Sequence, residues 1–316
     1  MEKSFDIDII YLWVDGNDPA WQEKRRRFVG NPEEDRKGDA TSAGRYTDND
    51  ELKYNLRALE KYAPWIRKIF IVTDGQVPKW LDTGNQKVTI VDQNDIVPAE
   101  GLPCFNSNVI EHNFYKIPGL AEHFLYANDD MFINRTVSPL DFFTKDGLPI
   151  VRLKRSRWRK LTLWMKEKLL HQPLSKYNQA LKNASGLIKE HYGVEMWDKS
   201  HHNIDSYLKS SYQQTVELFN DEISATFKNH MRADSDVQRI IYSYVPLMEG
   251  AAQKEYIGKD TSFMLRIHKQ DHYERLQRCN PMFFCLNDSQ YATDDDRLRV
   301  RAFLISRFPD KSSFEK

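Results

Sequence analysis

The chain lacks the features of a membrane-spanning or disulfide-bonded protein. Its longest uninterrupted apolar run, Ile9 to Val14, is far shorter than the roughly 20 residues that cross a bilayer as a helix. The three cysteines, Cys104, Cys279 and Cys285, give no disulfide framework. The first residues show no basic region followed by an apolar core, so no secretory signal is predicted. We therefore expect a protein of the reducing cytoplasm.

An excess of charge of either sign is also missing. Lys plus Arg and Asp plus Glu number 46 each in the 316-residue chain, so no overall field favours nucleic acid, which is not expected as a partner. Aromatic residues, by contrast, are plentiful, with 7 Trp, 15 Tyr and 17 Phe, which argues against disorder. The chain is long enough for one large core or two modest ones.

The stretch from Arg45 to Leu81 is predicted to form a helix, a turn and a buried strand. The helix is expected over residues ~49–62, with Asp48 as its N-cap and an end before Pro64. One face of this helix is apolar, through Leu52, Leu56 and Leu59. The following strand closes on an acid and a glycine, where open α/β sheets bind ligands.

Four strand-like runs in the sequence, at 7–14, 69–72, 88–91 and 123–127, close on acidic residues. Runs with so little polar alternation are typical of parallel strands buried on both faces, whose ends lie at one edge of the sheet. Like charges gathered there are costly unless a cation or donor groups balance them, so a divalent metal and a nucleotide diphosphate are candidates. An ordinary sheet with solvated charges is the alternative. The acids concerned are Asp15, Asp74, Asp92, Asp129 and Asp130.

Several separated motifs carry a family resemblance that covers nearly the whole chain. The first are WVDGNDPAW at 13–21, the stretch 45–81, LPCFNSNVIEHNFYKIPGL at 102–120 and FLYANDDMF at 124–132. HHNID at 201–205, HMRADSDVQ at 230–238, FFCLNDSQ at 283–290 and the terminal FPDKSSFE follow. Together they resemble the Stealth family of bacterial capsular polysaccharide phosphotransferases, which is similar to the catalytic part of the eukaryotic lysosomal-enzyme N-acetylglucosamine-1-phosphotransferase.

This resemblance implies transfer of a sugar 1-phosphate from a nucleotide sugar to an acceptor hydroxyl of a polysaccharide or oligosaccharide. The fold implied is α/β, a mostly parallel sheet of nucleotide-sugar-transferase (Rossmann-like) type with a helical insertion. We expect a nucleotide-sugar-binding part at 1–144, a basic helical insertion at 145–200, and a part at 201–316 that completes the catalytic domain. A uridine diphosphate N-acetylhexosamine is the expected donor.

The resemblance also assigns roles to individual residues. His202 is the expected general base, with His201 as its competitor, and Arg232 and Asp74 complete the catalytic set. A metal, Mg²⁺ or Mn²⁺, is expected on Asp129, Asp130, Asn287 and Asp288. The residues expected to bind the donor are Trp13, Asp15, Gly16, Arg45, Asp50, Glu51, Lys53, Asn106, Ser107, Asn108 and Asp236.

The residues at 106–108 are predicted to open a helix at ~107–117, and Asp234 or Ser235 to cap a helix that runs through Ile241 and Tyr244. For the residues at 106–108, plain helix capping is the alternative, and for Arg232 with Asp236 it is a structural ion pair. The charged stretch 22–44 is read as a solvated loop or as a lid over the donor. His112 is as readily structural as functional.

The only strongly basic segment is 152–172, RLKRSRWRKLTLWMKEKLLHQ. A solvated helix face is the simplest interpretation. The alternatives are docking on anionic lipid and docking on a phosphate-bearing acceptor polymer. For the protein as a whole, a peripheral contact with the inner face of the membrane or with the capsule assembly machinery is expected.

Two other functions remain open at this point. A metal-dependent glycosyltransferase would transfer the sugar itself from the same donor and release a nucleoside diphosphate. A non-catalytic polysaccharide-binding module would turn over no donor. The number of acids at one edge of the sheet argues against the module.

Overall fold

The computed structural model describes residues 5–29, 48–200, 202–289 and 291–316. A five-stranded sheet in the order β3-β2-β1-β4-β8 lies at its centre. The first four strands run parallel to their neighbours, and β8 pairs antiparallel with β4. This confirms the predicted α/β fold with a mostly parallel sheet. The strands are β1 (Ile7–Leu12), β2 (Ile69–Thr73), β3 (Val88–Asp92), β4 (His123–Asn128) and β8 (Asp205–Leu208).

Two smaller sheets complete the strand inventory of the described residues. One has the order β10-β11-β5 and the other β7-β6-β9. Because β5 follows β4 after a two-residue turn, this turn joins the central sheet to the β10-β11-β5 sheet. The strands are β5 (Met131–Ile133), β6 (Ile150–Lys154), β7 (Lys199–Ser200), β9 (Gln253–Tyr256), β10 (Ser262–Arg266) and β11 (Phe283–Asn287).

Eleven α-helices occur in the described ranges, and within those ranges no helix combines the length and apolar character needed to cross a membrane. They are α1 (Pro19–Val29), α2 (Glu51–Tyr62), α3 (Gln93–Ile96), α4 (Ser107–Glu111), α5 (Arg159–Lys168), α6 (Lys176–Tyr192), α7 (Lys209–Leu218), α8 (Asn220–Phe227), α9 (Ile241–Met248), α10 (Gln270–Cys279) and α11 (Asp294–Arg307). The segment 145–200, predicted as the helical insertion, holds β6, α5, α6 and β7.

The two faces of the central sheet pack against different parts of the chain. In β1, Ile10 packs on the face that α6, α7 and α9 cover, whereas Ile9 and Tyr11 pack on the face covered by α2. This alternation follows from the two-residue period of a strand. Strands β1, β2 and β4 are therefore buried on both faces, as their apolar sequences predict, whereas the edge strand β3 is partly half-buried.

Helix α2 forms as predicted, but it begins differently. Its N-cap is Asp50, which has a left-handed backbone (φ 66°) and makes no side-chain cap bond. Asp48, the predicted cap, instead accepts a hydrogen bond from the Asp50 amide at 2.9 Å. The Glu51 carboxylate accepts a hydrogen bond from the Asn49 backbone N–H at 2.5 Å. The capping prediction was wrong because these acids stabilise a turn that precedes the helix.

Two other predicted helices are shorter than expected. The helix expected at ~107–117 is α4, which ends at Glu111 and is followed by a separate 3-10 turn at Phe114–Lys116. The helix expected from Asp234 onward begins only at Ile241, in α9. The residues before it form an irregular loop held by side-chain hydrogen bonds, which a hydrophobic pattern cannot reveal.

Candidate active site

The carboxyl ends of β1, β2, β3 and β4 meet at one edge of the central sheet. Leu12 pairs with both Val72 and Asn128, and Thr73 pairs with Asp92, so the four strands end nearly level. Chain segments that leave this edge carry the acids predicted from the sequence. The edge therefore gathers residues that are far apart in the chain, as expected for the ligand-binding edge of an open α/β sheet.

Asp74 lies directly after β2 and is almost completely buried. One carboxylate oxygen accepts a hydrogen bond from Lys24 Nζ of α1 at 2.5 Å, and the side chain is 4% exposed. The other oxygen has no hydrogen-bond partner among the described residues. Gly75 follows with a left-handed backbone (φ 70°), and a Cβ there would stand 3.5 Å from Asp92 Oδ2. This glycine lets the chain turn sharply at the sheet edge and aim Asp74 at it.

The loop after β1 is tied to the loop after β2 by one side chain, Gln76. Its amide accepts from the Asp15 backbone N–H at 2.9 Å and donates to Asp18 Oδ2 at 2.9 Å. A carboxylate oxygen of Asp15 accepts a hydrogen bond from the Asn17 backbone N–H. Gly16 lies in the same turn, and Trp13 before it is only 5% exposed. Sequence reasoning missed Gln76, although its position two residues after Asp74 in the acidic turn was a usable signal.

Four carboxyl groups form an acidic cluster beside β4: Asp48, Glu51, Asp129 and Asp130. Burial first, and then the charges of the other three, raise the pKa of Asp129 well above its usual range. Burial also raises the pKa of Glu51 to about 7 and that of Asp48 to about 6, and nearby Asp15 contributes to the Asp48 shift. Asp129 and Asp130 still keep part of their surface open to solvent. The cluster is therefore costly when ionised, yet it is open to a cation from outside.

Asn55, on α2, fixes the turn that carries two of these acids. Its Nδ2 group donates to the Asp129 carbonyl at 2.9 Å and to the Met131 carbonyl at 2.6 Å. Its Oδ1 accepts from the buried Tyr11 hydroxyl at 2.9 Å. Asn55 is fully buried. It is a positioning residue that the sequence analysis did not identify, because a polar residue inside an amphipathic helix has no distinctive spacing.

The end of β11 lies beside the acidic turn. The Leu286 amide donates to the Asp130 carbonyl at 2.9 Å, and the Cys285 thiol lies 3.4 Å from Asp130 Oδ2. Asn287 and Asp288 come next in the chain. The Asp288 carboxylate, however, is held by Arg297 of α11 at 2.8 and 3.2 Å. The structure thus brings the two predicted metal motifs together but gives Asp288 a cationic partner.

Two carboxyl groups of the acidic cluster are suitable ligands for a divalent cation. Across the described ranges, no three or more His, Cys, Asp or Glu side chains are placed as a ready metal cage. Mg²⁺ commonly takes one or two carboxylates and completes its shell with water and substrate phosphates. Asp129 and Asp130, adjacent and accessible at the sheet edge, fit that pattern, because a cation would relieve the repulsion that raises the pKa of Asp129.

A buried amide cluster joins two motifs that are about 130 residues apart in sequence. Asp236 Oδ2 accepts from the Nδ2 groups of Asn106 and Asn108, each at 2.9 Å, and from the Ala233 amide at 3.1 Å. Its Oδ1 accepts from Asn229 Nδ2 at 2.8 Å. Asp236 is fully buried. With four hydrogen-bond donors on its carboxylate, Asp236 organises the loop, and its role in donor binding stays a prediction.

Arg232 stands on the rim of this amide cluster. Its Nη2 donates to Ser107 Oγ at 2.7 Å, and the residue is half-buried. Burial raises the pKa of Glu111, and the positive charges of Arg239 and then Arg232 offset part of that rise. No ion pair joins Arg232 to Asp236 among the described residues, so the structural alternative proposed for this pair is not what forms. The guanidinium instead faces the start of α4.

The negative charges of Asp74 and of Asp236 both act on the buried Cys104 thiol. Burial first, and then these two charges, raise the pKa of Cys104 to about 12. His112, further along, is fully buried and bonds to the Tyr242 hydroxyl at 2.6 Å and the Val237 carbonyl at 2.9 Å. Burial lowers the pKa of His112 to about 4, so this histidine is neutral and structural.

The predicted base lies just before β8, which runs antiparallel and therefore starts at the same sheet edge. His202 is exposed, and His201 lies outside the described residues. Asp205 pairs across the sheet with Tyr126 and forms a buried ion pair with Arg239 at 2.6 Å. Asp205 was not predicted as a site residue, although it ends the HHNID motif. Its position next to β4 makes it a support for the loop that carries His202.

The remaining predicted donor contacts are spread around the site. Lys53 Nζ is 3.9 Å from Glu315 Oε2, at the C-terminal segment, where Arg57 binds the same carboxylate at 2.7 Å. Asp50 begins α2 beside the acidic cluster. Arg45 lies outside the described residues, as does most of the stretch 22–44 that was interpreted as a loop or lid.

Comparison with known proteins adds an independent finding. Two family models match the chain: Stealth protein CR1, conserved region 1, over residues 5–32, and Stealth protein CR2, conserved region 2, over residues 45–151. An exopolysaccharide phosphotransferase of Lactiplantibacillus plantarum, cps2G, is 31% identical over 345 residues, which cover 99% of this chain and 97% of that protein. A capsular polysaccharide phosphotransferase of Neisseria meningitidis serogroup B is 33% identical over 317 residues, 96% of this chain and 83% of that protein.

Among solved structures, the chain is similar to the galactosyltransferase LgtC in complex with donor and acceptor sugar analogues. The TM-score is 0.47 at 12% identity, over 97% of this chain and 96% of that one. It is also similar to mouse xyloside xylosyltransferase 1 in its apo form, with a TM-score of 0.43 at 9% identity, over 92% of this chain and all of that one (100%).

Proposed function

The chain belongs to the Stealth family of polysaccharide phosphotransferases, and from that premise we propose that it transfers a hexose or N-acetylhexosamine 1-phosphate from a nucleotide sugar to a sugar hydroxyl. The product is a phosphodiester linkage in a capsular or other cell-surface polysaccharide, and the leaving group is a nucleoside monophosphate. A uridine diphosphate sugar is the proposed donor.

The observation that carries this proposal is the contact of Ser107 with Arg232 at the rim of the Asp236 amide cluster. A half-buried guanidinium beside a hydroxyl and a helix start suits an anionic phosphoryl group. Sugar recognition alone would not need a cation aimed at this position. The arrangement therefore favours chemistry at phosphorus.

We assign the donor diphosphate to the space between Arg232 and the acidic cluster. A bound Mg²⁺ or Mn²⁺ would neutralise phosphate charge there, held by Asp129 and Asp130 and completed by water and donor oxygens. Asn55 keeps the turn of these two acids in place through its bonds to the Asp129 and Met131 carbonyls. The Arg232 guanidinium would donate hydrogen bonds to the phosphoryl oxygens and stabilise the negative charge that develops on them during the reaction.

In the proposed step, the acceptor hydroxyl oxygen attacks the phosphorus that bears the sugar. The bond from that phosphorus to the bridging oxygen breaks, and the nucleoside monophosphate leaves with the electron pair. His202 would accept the hydroxyl proton, which suits an exposed imidazole at neutral pH. Because phosphoryl transfer depends mainly on positioning and charge stabilisation, loss of Arg232 should reduce turnover strongly.

The test separates the nucleotides released from a panel of nucleotide sugars in the presence of Mg²⁺ or Mn²⁺ and a capsule-type oligosaccharide. We expect both the unaltered protein and the His191→Ala variant to release a nucleoside monophosphate. His191, which is exposed at the end of α6, serves as the control position. His202→Ala should lose this activity. Release of the diphosphate would instead make the protein a glycosyltransferase, and donor binding without any turnover would make it a binding module.

We further propose that the enzyme works in the cytoplasm, in peripheral contact with the inner face of the membrane or with the capsule assembly machinery. Its partners there are the nucleotide-sugar donor and the polymer acceptor. The basic segment 152–172 is the proposed site of such a contact.

A further inference from the structure

Helix α5 and the residues at its two ends carry an exposed apolar stripe. Large apolar side chains normally pack inside, and a cluster of them on one surface marks an interaction site. Those on this stripe are 42% to 72% exposed. They are Trp158, Leu161, Trp164, Met165, Leu169 and Leu170, and this set is called the α5 stripe below.

The stripe is exposed because α5 contacts the rest of the protein through a narrow part of its surface. Leu163 is the one residue of the helix that is buried, at 7% exposure. With about 100° of turn per residue, the helical members of the stripe and Trp158 before them span roughly 120° of the helix surface, on the side away from Leu163. The helix thus rests on the protein by a narrow contact and presents a broad apolar face outward.

Basic residues surround the stripe. Seven cations lie between residues 154 and 168, and one of them, Lys160, is paired with Glu195 at 2.6 Å. The single acid of this range, Glu167, is paired with Lys182 at 2.8 Å. The whole chain is neutral, so this excess is local. The seven are Lys154, Arg155, Arg157, Arg159, Lys160, Lys166 and Lys168.

We propose that α5 lies flat on an anionic lipid bilayer, with the α5 stripe inserted at the level of the headgroups and the surrounding cations on the lipid phosphates. Two tryptophans on one exposed face suit the interface, where one part of the ring is apolar and the other is hydrated. A face that combines apolar insertion with positive charge is the signature of a helix that lies on a membrane.

Charge favours this partner over a second copy of the chain. Two α5 stripes packed together would bring two strongly basic surfaces into contact, and the like charges would oppose dimerisation. A free polyanionic polymer would satisfy the cations but would leave the apolar side chains in water. An anionic membrane satisfies both features of the surface.

Helix α5 is also tied to the helix that follows it. Arg159 Nη2 donates to Asn178 Oδ1 on α6 at 2.6 Å. A polar contact therefore holds α5 to the body of the protein in addition to the packing of Leu163.

Co-sedimentation of the full chain with lipid vesicles tests this inference without any assay of transfer. The vesicles contain phosphatidylglycerol mixed with phosphatidylcholine, or phosphatidylcholine alone. Binding should require the anionic lipid. The Trp158→Gln/Trp164→Gln variant and the Arg157→Glu/Lys168→Glu variant should each bind roughly tenfold or more weakly. The Leu298→Gln/Ile305→Gln variant, altered at exposed positions of α11, should bind like the unaltered protein.

Three results would overturn the proposal. Equal binding of all variants would place the contact elsewhere. Loss of binding in the charge variant alone would indicate a surface for a soluble polyanion. Concentration-dependent dimerisation without lipid, abolished by the Trp158→Gln/Trp164→Gln variant, would identify a second copy as the partner. Because vesicle binding needs no turnover, the outcome is independent of the proposed reaction.

Discussion

At the scale of single residues, the acidic cluster beside β4 is electrostatically unfavourable when its carboxyl groups are ionised. Burial raises the pKa of Glu51 to about 7 and of Asp48 to about 6, and the mutual repulsion of the cluster adds to the shift at Asp129. A protein that only needed stability would replace one of these acids. Their presence at the ligand-binding edge is consistent with a site that is completed by a cation.

The cluster predicts a dependence of stability on pH with a definite sign. A carboxyl with a raised pKa stabilises the fold fully below the pKa of the unfolded chain, about 4. That contribution is lost as the pH rises through about 6 to 7, the folded-state pKa values of Asp48 and Glu51. Without metal, Asp129→Asn should therefore raise the melting temperature by a few degrees at about pH 8 and by less at about pH 5.

The same variant should abolish transfer and remove any stabilisation by added Mg²⁺ or Mn²⁺. Thermal unfolding with and without the ion, at both pH values, checks this expectation. An Asp129→Asn protein that melts like the unaltered one under all four conditions would show that the cluster neither repels nor binds a cation.

Asp236 gives a second test at this scale, with a matched control two residues away. It holds the Asn106, Asn108 and Asn229 amides, so Asp236→Asn would set one amide donor against three others. We expect a loss of about 2–4 kcal/mol in the free energy of unfolding, together with loss of transfer. Asp234 is exposed, and among the described residues its carboxylate forms a surface ion pair with Lys176, so Asp234→Asn should cost under about 1 kcal/mol.

Urea unfolding followed by circular dichroism measures both variants. If the two substitutions proved equally mild, the amide cluster would not hold the 106–108 and 229–236 segments together. The position of Arg232 at Ser107 would then need another explanation.

At the scale of elements, the C-terminal segment closes the fold around α2. The Asp82 amide donates to the Phe314 carbonyl at 2.8 Å, and the Lys316 amide donates to the Trp80 carbonyl at 2.9 Å. Phe314 is 2% exposed. The segment thus pins the chain that follows β2, the strand that carries Asp74.

Phe314→Ala should therefore destabilise the protein without touching the site. Loss of a buried aromatic ring costs about 3–5 kcal/mol. Transfer measured well below the melting temperature should remain, because Phe314 is a core residue outside the set of residues assigned to the site. Tyr291, which is 70% exposed, provides the control, and Tyr291→Ala should change the free energy of unfolding by less than about 1 kcal/mol. A Phe314→Ala protein with unchanged stability would show that the segment is not part of the cooperative fold.

At the scale of the whole molecule, the sequence predicts the sheet better than its surroundings. The runs at 7–14, 69–72, 88–91 and 123–127 become the four parallel strands, because uniformly apolar segments leave few alternatives to burial on both faces. The acids at their ends could be placed on one edge by topology alone. The resemblance added the motifs at 106–108 and 230–238, which the fold then joins through Asp236.

Other features depend on contacts that no local pattern encodes. Asp288 resembles a metal ligand in sequence, but Arg297 occupies its carboxylate once α11 packs nearby. Asn55 and Gln76 position the acidic turns from other elements and have no periodic signature. The basic segment 152–172 was predicted as a solvated helix face, and only the packing of Leu163 shows which of its side chains point outward.

The central claim is that phosphorus, and not only the sugar, moves from donor to acceptor. The most direct measurement follows a donor labelled at the β-phosphate, incubated with Mg²⁺ or Mn²⁺ and an oligosaccharide acceptor. The account predicts that the label enters the oligosaccharide as a phosphodiester and that Arg232→Ala and His202→Ala prevent its transfer. Label that stays with a released nucleoside diphosphate, while the sugar alone is incorporated, would contradict it.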